Sequence, residues 1–135
     1  MSSPEDTVPS KSVLVVEDDE EIAYILNFML SREGFEVTVA KDGNEALELI
    51  ESPTDPDMES HPDLVLLDIT LPYVEGLDIL AAIRKKVSWR SVPVIMLTGK
   101  SQETVVMKAM ENGASDYITK PFLPTEVIAR LKKFL

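Results

Sequence analysis

The segment Asp63-Leu64-Val65-Leu66-Leu67-Asp68 decides the fold. Four consecutive apolar residues lead into a carboxylate, and Ile69-Thr70-Leu71-Pro72 then turns the chain away. A run this short and continuous, bounded by His61-Pro62 and by Pro72, suits a strand covered on both faces, as in a parallel sheet. Asp68 then falls at the carboxyl end of its strand, the edge where open α/β sheets bind their ligands. Taken alone, Asp68 suits the start of a turn equally well. Its meaning depends on what else reaches the same edge.

Upstream, Val13-Leu14-Val15-Val16 is a second short apolar run, ending in Glu17-Asp18-Asp19. Ile22, Ile25, Leu26, Met29 and Leu30 follow at helical spacing as far as Gly34, and the acids at 17 to 21 favour a helix amino terminus through its dipole. Asp19 fits a helix cap as readily as a site. Phe35 to Ala40 alternates apolar and polar, as a half-covered edge strand does. A short helix over 43–51 carries Ala46, Leu47, Leu49 and Ile50. The proline-rich polar stretch 52–62 predicts an exposed loop, and its His61, the sole histidine, is expected to be solvated. Beyond Asp68, Gly76 precedes a helix that turns Leu77, Leu80, Ala81 and Ile83 inward, and Trp89 is expected as a partly exposed cover. Val92-Pro93-Val94-Ile95-Met96-Leu97 is the third buried run, ending in Thr98-Gly99. A helix over roughly 102–112 stops at Gly113, the usual left-handed cap residue. Asp116 to Thr119 forms the last strand, ending at Lys120-Pro121, and a final helix from near Pro124 buries Val127, Ile128 and Leu131.

Five strands alternating with five helices predict an α/β, doubly wound parallel sheet. Right-handed crossovers bring the ends of strands one, three, four and five to one edge, delivering Glu17-Asp18-Asp19, Asp68, Thr98 and Lys120 together. Residues 1–11 are expected as a flexible tail, and 12–135 as one domain. At 135 residues, 44% hydrophobic and 27% charged, the chain can bury a core without staples. It has no cysteine, which excludes disulfide frameworks and thiolate sites. No secretory signal or membrane-length apolar stretch is apparent, so a cytoplasmic protein without a membrane partner is expected. The formal net charge of −11 opposes direct binding to nucleic acid or anionic lipid and favours metal cations and basic partner faces.

Crowded carboxylates repel, which raises a pKa or recruits a cation. Mg2+ takes oxygen ligands and retains part of its water. A lysine and a hydroxyl aimed at the same place add the cation and donor that a phosphoryl group requires, and a carboxylate can be the nucleophile of an aspartyl-phosphate.

These residues make the chain resemble the receiver domains of two-component response regulators over roughly 11–135. The motifs are Val15-Val16-Glu17-Asp18-Asp19, Leu66 to Pro72 with Gly76, Leu97-Thr98-Gly99, and Gly113 to Phe122. Thirty residues separate Asp68 from Thr98, and 22 separate Thr98 from Lys120. The resemblance implies a flavodoxin-like (βα)5 fold with strand order 2-1-3-4-5. It implies Asp68 as phosphoacceptor, Asp18 as direct metal ligand, Glu17 acting partly through water, and the Thr70 backbone carbonyl as a further ligand. Lys120 would pair with Asp68 and then with the phosphoryl group, and Lys120-Pro121 would be a cis peptide. Thr98 and Tyr117 would be the switch pair, and Gly99 would leave room for access. Mg2+, or Mn2+ in its place, is the implied cofactor. The implied partners are a histidine kinase or phosphotransfer protein and a downstream effector protein or effector domain. The face made by the fourth helix, fifth strand and fifth helix, roughly 102–135, would change affinity, and a homodimer could use it.

The chain departs from the family in its long 52–62 loop and in Tyr73 and Glu75, where glycine and aspartate are common. Thr70 and Lys100, which usually tune the lifetime of the phosphoryl group, form a pair that does not predict one. Three rival readings stand beside this one: a degenerate receiver acting as a scaffold, a haloacid-dehalogenase-like phosphatase, and a flavodoxin-like flavin binder. The phosphatase family wants a second acid where Thr70 stands. The flavin binder wants a hydroxyl- and glycine-rich turn where Glu17-Asp18-Asp19 stands.

Overall fold

Period-two alternation persists inside the apolar runs and is hidden in the sequence because both faces of the sheet are covered. The computed structural model describes residues 11–52, 61–71, 74–99 and 102–135. The expected tail up to residue 10, the centre of the long loop (53–60), Tyr73 and Lys100 lie outside the described residues. The elements run β1 (Ser12–Val16), α1 (Glu20–Arg32), β2 (Glu36–Ala40), α2 (Gly43–Glu51), β3 (Leu64–Asp68), α3 (Gly76–Lys85), β4 (Val94–Thr98), α4 (Glu103–Glu111), β5 (Asp116–Thr119) and α5 (Pro124–Phe134). The sheet is parallel, in the order β2-β1-β3-β4-β5. This is the expected flavodoxin-like doubly wound architecture.

Two cores sandwich the sheet. Leu14, Val16, Val65, Leu67, Val94 and Met96 face Ile50 of α2, Ile79 and Ile83 of α3 and Ala109 of α4. Their sequence neighbours Val13, Val15, Leu64, Leu66, Ile95 and Leu97 face Leu26 and Leu30 of α1 and Val127 and Leu131 of α5. Each fully buried aliphatic side chain contributes on the order of 2 kcal/mol of transfer free energy. The central strands therefore form the most strongly specified part of the chain.

Local chemistry sets the element ends. Asp19 caps α1, its Oδ1 accepting from the Glu21 and Ile22 N–H groups at 2.9 and 3.1 Å. Gly113 adopts φ +101° after α4, the left-handed value that ends a helix at low cost. Pro124 opens α5 at a position where its missing N–H costs nothing.

Some burial expectations need correction. Trp89 is 3% exposed rather than a partly exposed cover, because the turn between α3 and β4 folds it into the α2–α3–α4 core. In α3, Ile79 is buried while Ala81 is exposed and Leu77 half-buried, a small rotation of the expected stripe. Ile128 is half-buried, since α5 lies over the sheet edge.

Candidate functional site

Strand register brings the site together. Val16 pairs with Leu67, so Glu17 follows at the level of Asp68. Asp68 pairs with Leu97, and Thr98 with Thr119, which places Lys120 one step beyond. Glu17, Asp68 and Lys120 continue the alternation of the α1–α5 face, whereas Thr98 and Tyr117 continue that of the α2–α3–α4 face. The expected residues thus divide into a charged group and a hydroxyl–aromatic pair on opposite faces of one edge.

In the charged group, Lys120 Nζ lies 2.7 Å from Glu17 Oε1 and 3.1 Å from Asp68 Oδ2. The other oxygen of Asp68 accepts from the Thr70 N–H at 3.0 Å, and Glu17 Oε2 accepts from the Asp19 N–H at 3.2 Å. Glu17 is 1% and Asp68 5% exposed, while Asp18 is exposed at the mouth. Burial first, and then the neighbouring Asp68, push the Glu17 carboxyl up to about 7 against the opposing pull of Lys120. Burial would lower Lys120, but the hydrogen bond to Glu17 and the charge of Asp68 outweigh it and hold the ammonium above its ordinary value. The peptide between Lys120 and Pro121 is cis.

Glu17, Asp18 and Asp68 each offer an oxygen within 4.8 Å of the others. Three carboxylates gather beside one ammonium, and this excess of negative charge, added to burial, raises the proton affinity of Glu17. Hard oxygen donors with surplus charge and an exposed acid at the entrance fit a divalent cation. His61 is not among these residues; it lines a cavity with Ser12 and Trp89, near the amino end of β1.

Gly76 holds the strand end in place. Its N–H donates to the Ile69 carbonyl at 3.1 Å, and a Cβ there would stand 2.5 Å from the Asp68 carbonyl oxygen and 2.8 Å from Ile69 Cα. Only glycine admits this approach of α3 to the end of β3.

Thr98 is 2% exposed, and its hydroxyl faces the Gly99 carbonyl and Gln102 Oε1, each at 3.2 Å. Tyr117 is 42% exposed and borders a groove of about 620 Å³ that runs from Thr98 along Val106, Met107 and Met110 of α4. Gln102 is the site residue that sequence reasoning missed. Its position four residues after Thr98, at the start of a helix, is a weak signal because polar residues are common there.

Residues 13–132 match the family model for the response regulator receiver domain. Among solved structures, the Francisella response regulator 1452 receiver domain is 32% identical, with a TM-score of 0.79 over 93% of this chain and 96% of that one. Vibrio cholerae chemotaxis protein CheY4 is 26% identical, with a TM-score of 0.83 over 94% and 100%. The receiver domain of the sensor histidine kinase PA1611 from Pseudomonas aeruginosa PAO1, which holds a magnesium ion in its active site cleft, is 28% identical. Its TM-score is 0.80 over 93% of this chain and 98% of that one.

Proposed function

We propose, for a chain that belongs to the response regulator receiver family, that it is a switch thrown by phosphorylation of Asp68. The observation that carries this reading is the ion pairing of Lys120 with both Glu17 and Asp68 at the carboxyl edge of the sheet. A partner histidine kinase or phosphotransfer protein presents a phosphohistidine. An Asp68 carboxylate oxygen attacks phosphorus, the P–N bond breaks, and the electron pair leaves on the imidazole nitrogen, which takes up a proton.

The Thr70 N–H orients one oxygen of Asp68 while Lys120 neutralises the other. Lys120 then moves its charge to the phosphoryl oxygens, which supply more negative charge than the carboxylate they replace. Glu17, Asp18, Asp68 and the Thr70 carbonyl would hold Mg2+ or Mn2+, which supplies positive charge to the phosphoryl oxygens. Thr98 turns its hydroxyl toward the phosphoryl group, and the Tyr117 ring fills the space behind it, so that the face built by α4, β5 and α5 presents a changed surface to an effector or to a second copy. The domain catalyses only its own phosphorylation and dephosphorylation. Among the described residues no helix is long and apolar enough to cross a membrane.

The test is acetyl phosphate with Mg2+, read by intact mass. The wild type gains one phosphoryl group and Asp68→Asn gains none. Labelling that survives in Asp68→Asn means another acceptor, and steady turnover of phosphate esters means a phosphatase.

A further inference from the structure

Gln102 occupies the N-cap position of α4, yet its side chain makes no cap to its own helix. It folds back over the loop after β4. Its Oε1 accepts from the Gly99 N–H at 2.8 Å and from the Thr98 hydroxyl at 3.2 Å, and its Nε2 donates to Thr70 Oγ1 at 2.6 Å. The amide orientation follows from chemistry. The Gly99 N–H can only donate, so the atom facing it is oxygen and the NH2 group faces Thr70. One side chain therefore ties the segment after β3 to the segment after β4, across the mouth of the phosphoacceptor pocket.

The Thr98 hydroxyl has a single hydrogen, and it points to Gln102 Oε1 and the Gly99 carbonyl. Asp68 receives its hydrogen bonds from Thr70 and Lys120 instead. A hydroxyl that is to donate to a phosphoryl oxygen on Asp68 must first leave these acceptors, the Gln102 amide oxygen among them.

We propose that Gln102 is a positioning residue that latches the resting state, holding the hydroxyls of Thr98 and Thr70 together so that phosphorylation must break this bridge and free the first turn of α4. The inference rests on the reading of Asp68 as phosphoacceptor and Thr98 as the responding hydroxyl. The latch biases a two-state equilibrium. Removing it enlarges the population in which Thr98 is free, and every event requiring that population becomes faster.

The experiment follows the initial rate of labelling by acetyl phosphate and Mg2+ in the full chain, by intact mass. It compares wild type, Gln102→Met, Gln102→Ala, Thr98→Val and the double variant Thr98→Val/Gln102→Met. Methionine keeps the length of the side chain without its hydrogen bonds, so a folding defect in the alanine variant does not confuse the result. Gln102→Met labels about three- to tenfold faster than wild type, the factor one ordinary hydrogen bond represents. In the Thr98→Val background the same substitution changes the rate by a factor near one, because there is no hydroxyl left to release. A residue that only supports the fold would not show this dependence on Thr98. Wild-type rates in both Gln102 variants, or equal acceleration with and without the Thr98 hydroxyl, would overturn the latch. Absence of label from the wild type itself would instead remove the phosphoacceptor reading, and the latch with it.

Discussion

Lys120 stands closer to Glu17 than to Asp68, at 2.7 Å against 3.1 Å, although Asp68 is the proposed phosphoacceptor. Glu17 is buried and has no better partner for its charge than this ammonium. The lysine is therefore divided between two buried carboxylates, one of them the proposed phosphoacceptor.

The same burial makes stability depend on pH in a definite direction. Glu17 is held up at about 7 from an ordinary value of 4.5, so between those limits the folded chain binds a proton that the unfolded chain has lost. Stability contributed by this group is therefore full below pH 4.5, falls as pH rises to about 7, and is level above that. In chelator-treated protein, urea unfolding at pH 5 and pH 8 is expected to differ more for wild type than for Glu17→Gln, by on the order of 1–3 kcal/mol. Parallel pH profiles for the two proteins would show that Glu17 titrates as an ordinary surface acid.

The architecture and the charged cluster were legible because both follow from short-range rules. Apolar runs bounded by turn residues place strands, and strand ends in a wound sheet share an edge, so Glu17, Asp68, Thr98 and Lys120 could be brought together without coordinates. What stayed hidden depends on side-chain reach. Nothing in the order of residues says that Lys120 settles nearest Glu17, or that Gln102 turns away from its own helix to join Thr70 and Thr98. The burial of Trp89 was not legible because a connection between elements normally runs over the surface, whereas this one turns its large side chain into the core on the α2–α3–α4 side of the sheet.

Gly76 should tolerate no side chain. The atoms a Cβ would meet are the backbone of Asp68 and Ile69, which cannot swing aside as a flexible side chain can. Gly76→Ala is expected to destabilise the chain by about 1–3 kcal/mol, the usual cost of forcing extra volume into a packed site. Because the displaced backbone carries the proposed phosphoacceptor, labelling by acetyl phosphate should slow as well. Chemical denaturation and intact mass measure the two effects. Full stability in the alanine variant would mean that α3 can withdraw from β3 freely.

Arg84 offers a contrasting case, in which stability and reaction should separate. Its guanidinium donates to the Gly113 carbonyl from Nε at 3.0 Å and from one terminal nitrogen at 2.7 Å. The other terminal nitrogen donates to the carbonyls of Val92 at 2.7 Å and Arg90 at 3.1 Å. One residue of α3 thus fastens the entry to β4 to the turn before β5. Removing these charge-assisted bonds in Arg84→Met is expected to cost about 1–3 kcal/mol in urea unfolding. Arg84→Lys should recover only part of the loss, since an ammonium cannot reproduce the planar fork that reaches three carbonyls. The anchored turns lie at the amino end of β4, a full strand length of roughly 16 Å from its carboxyl end at about 3.3 Å per residue. Labelling of Asp68 in both variants should therefore proceed at the wild-type rate wherever the protein remains folded. A large fall in that rate without loss of stability would mean that the amino end of the sheet communicates with the reactive edge.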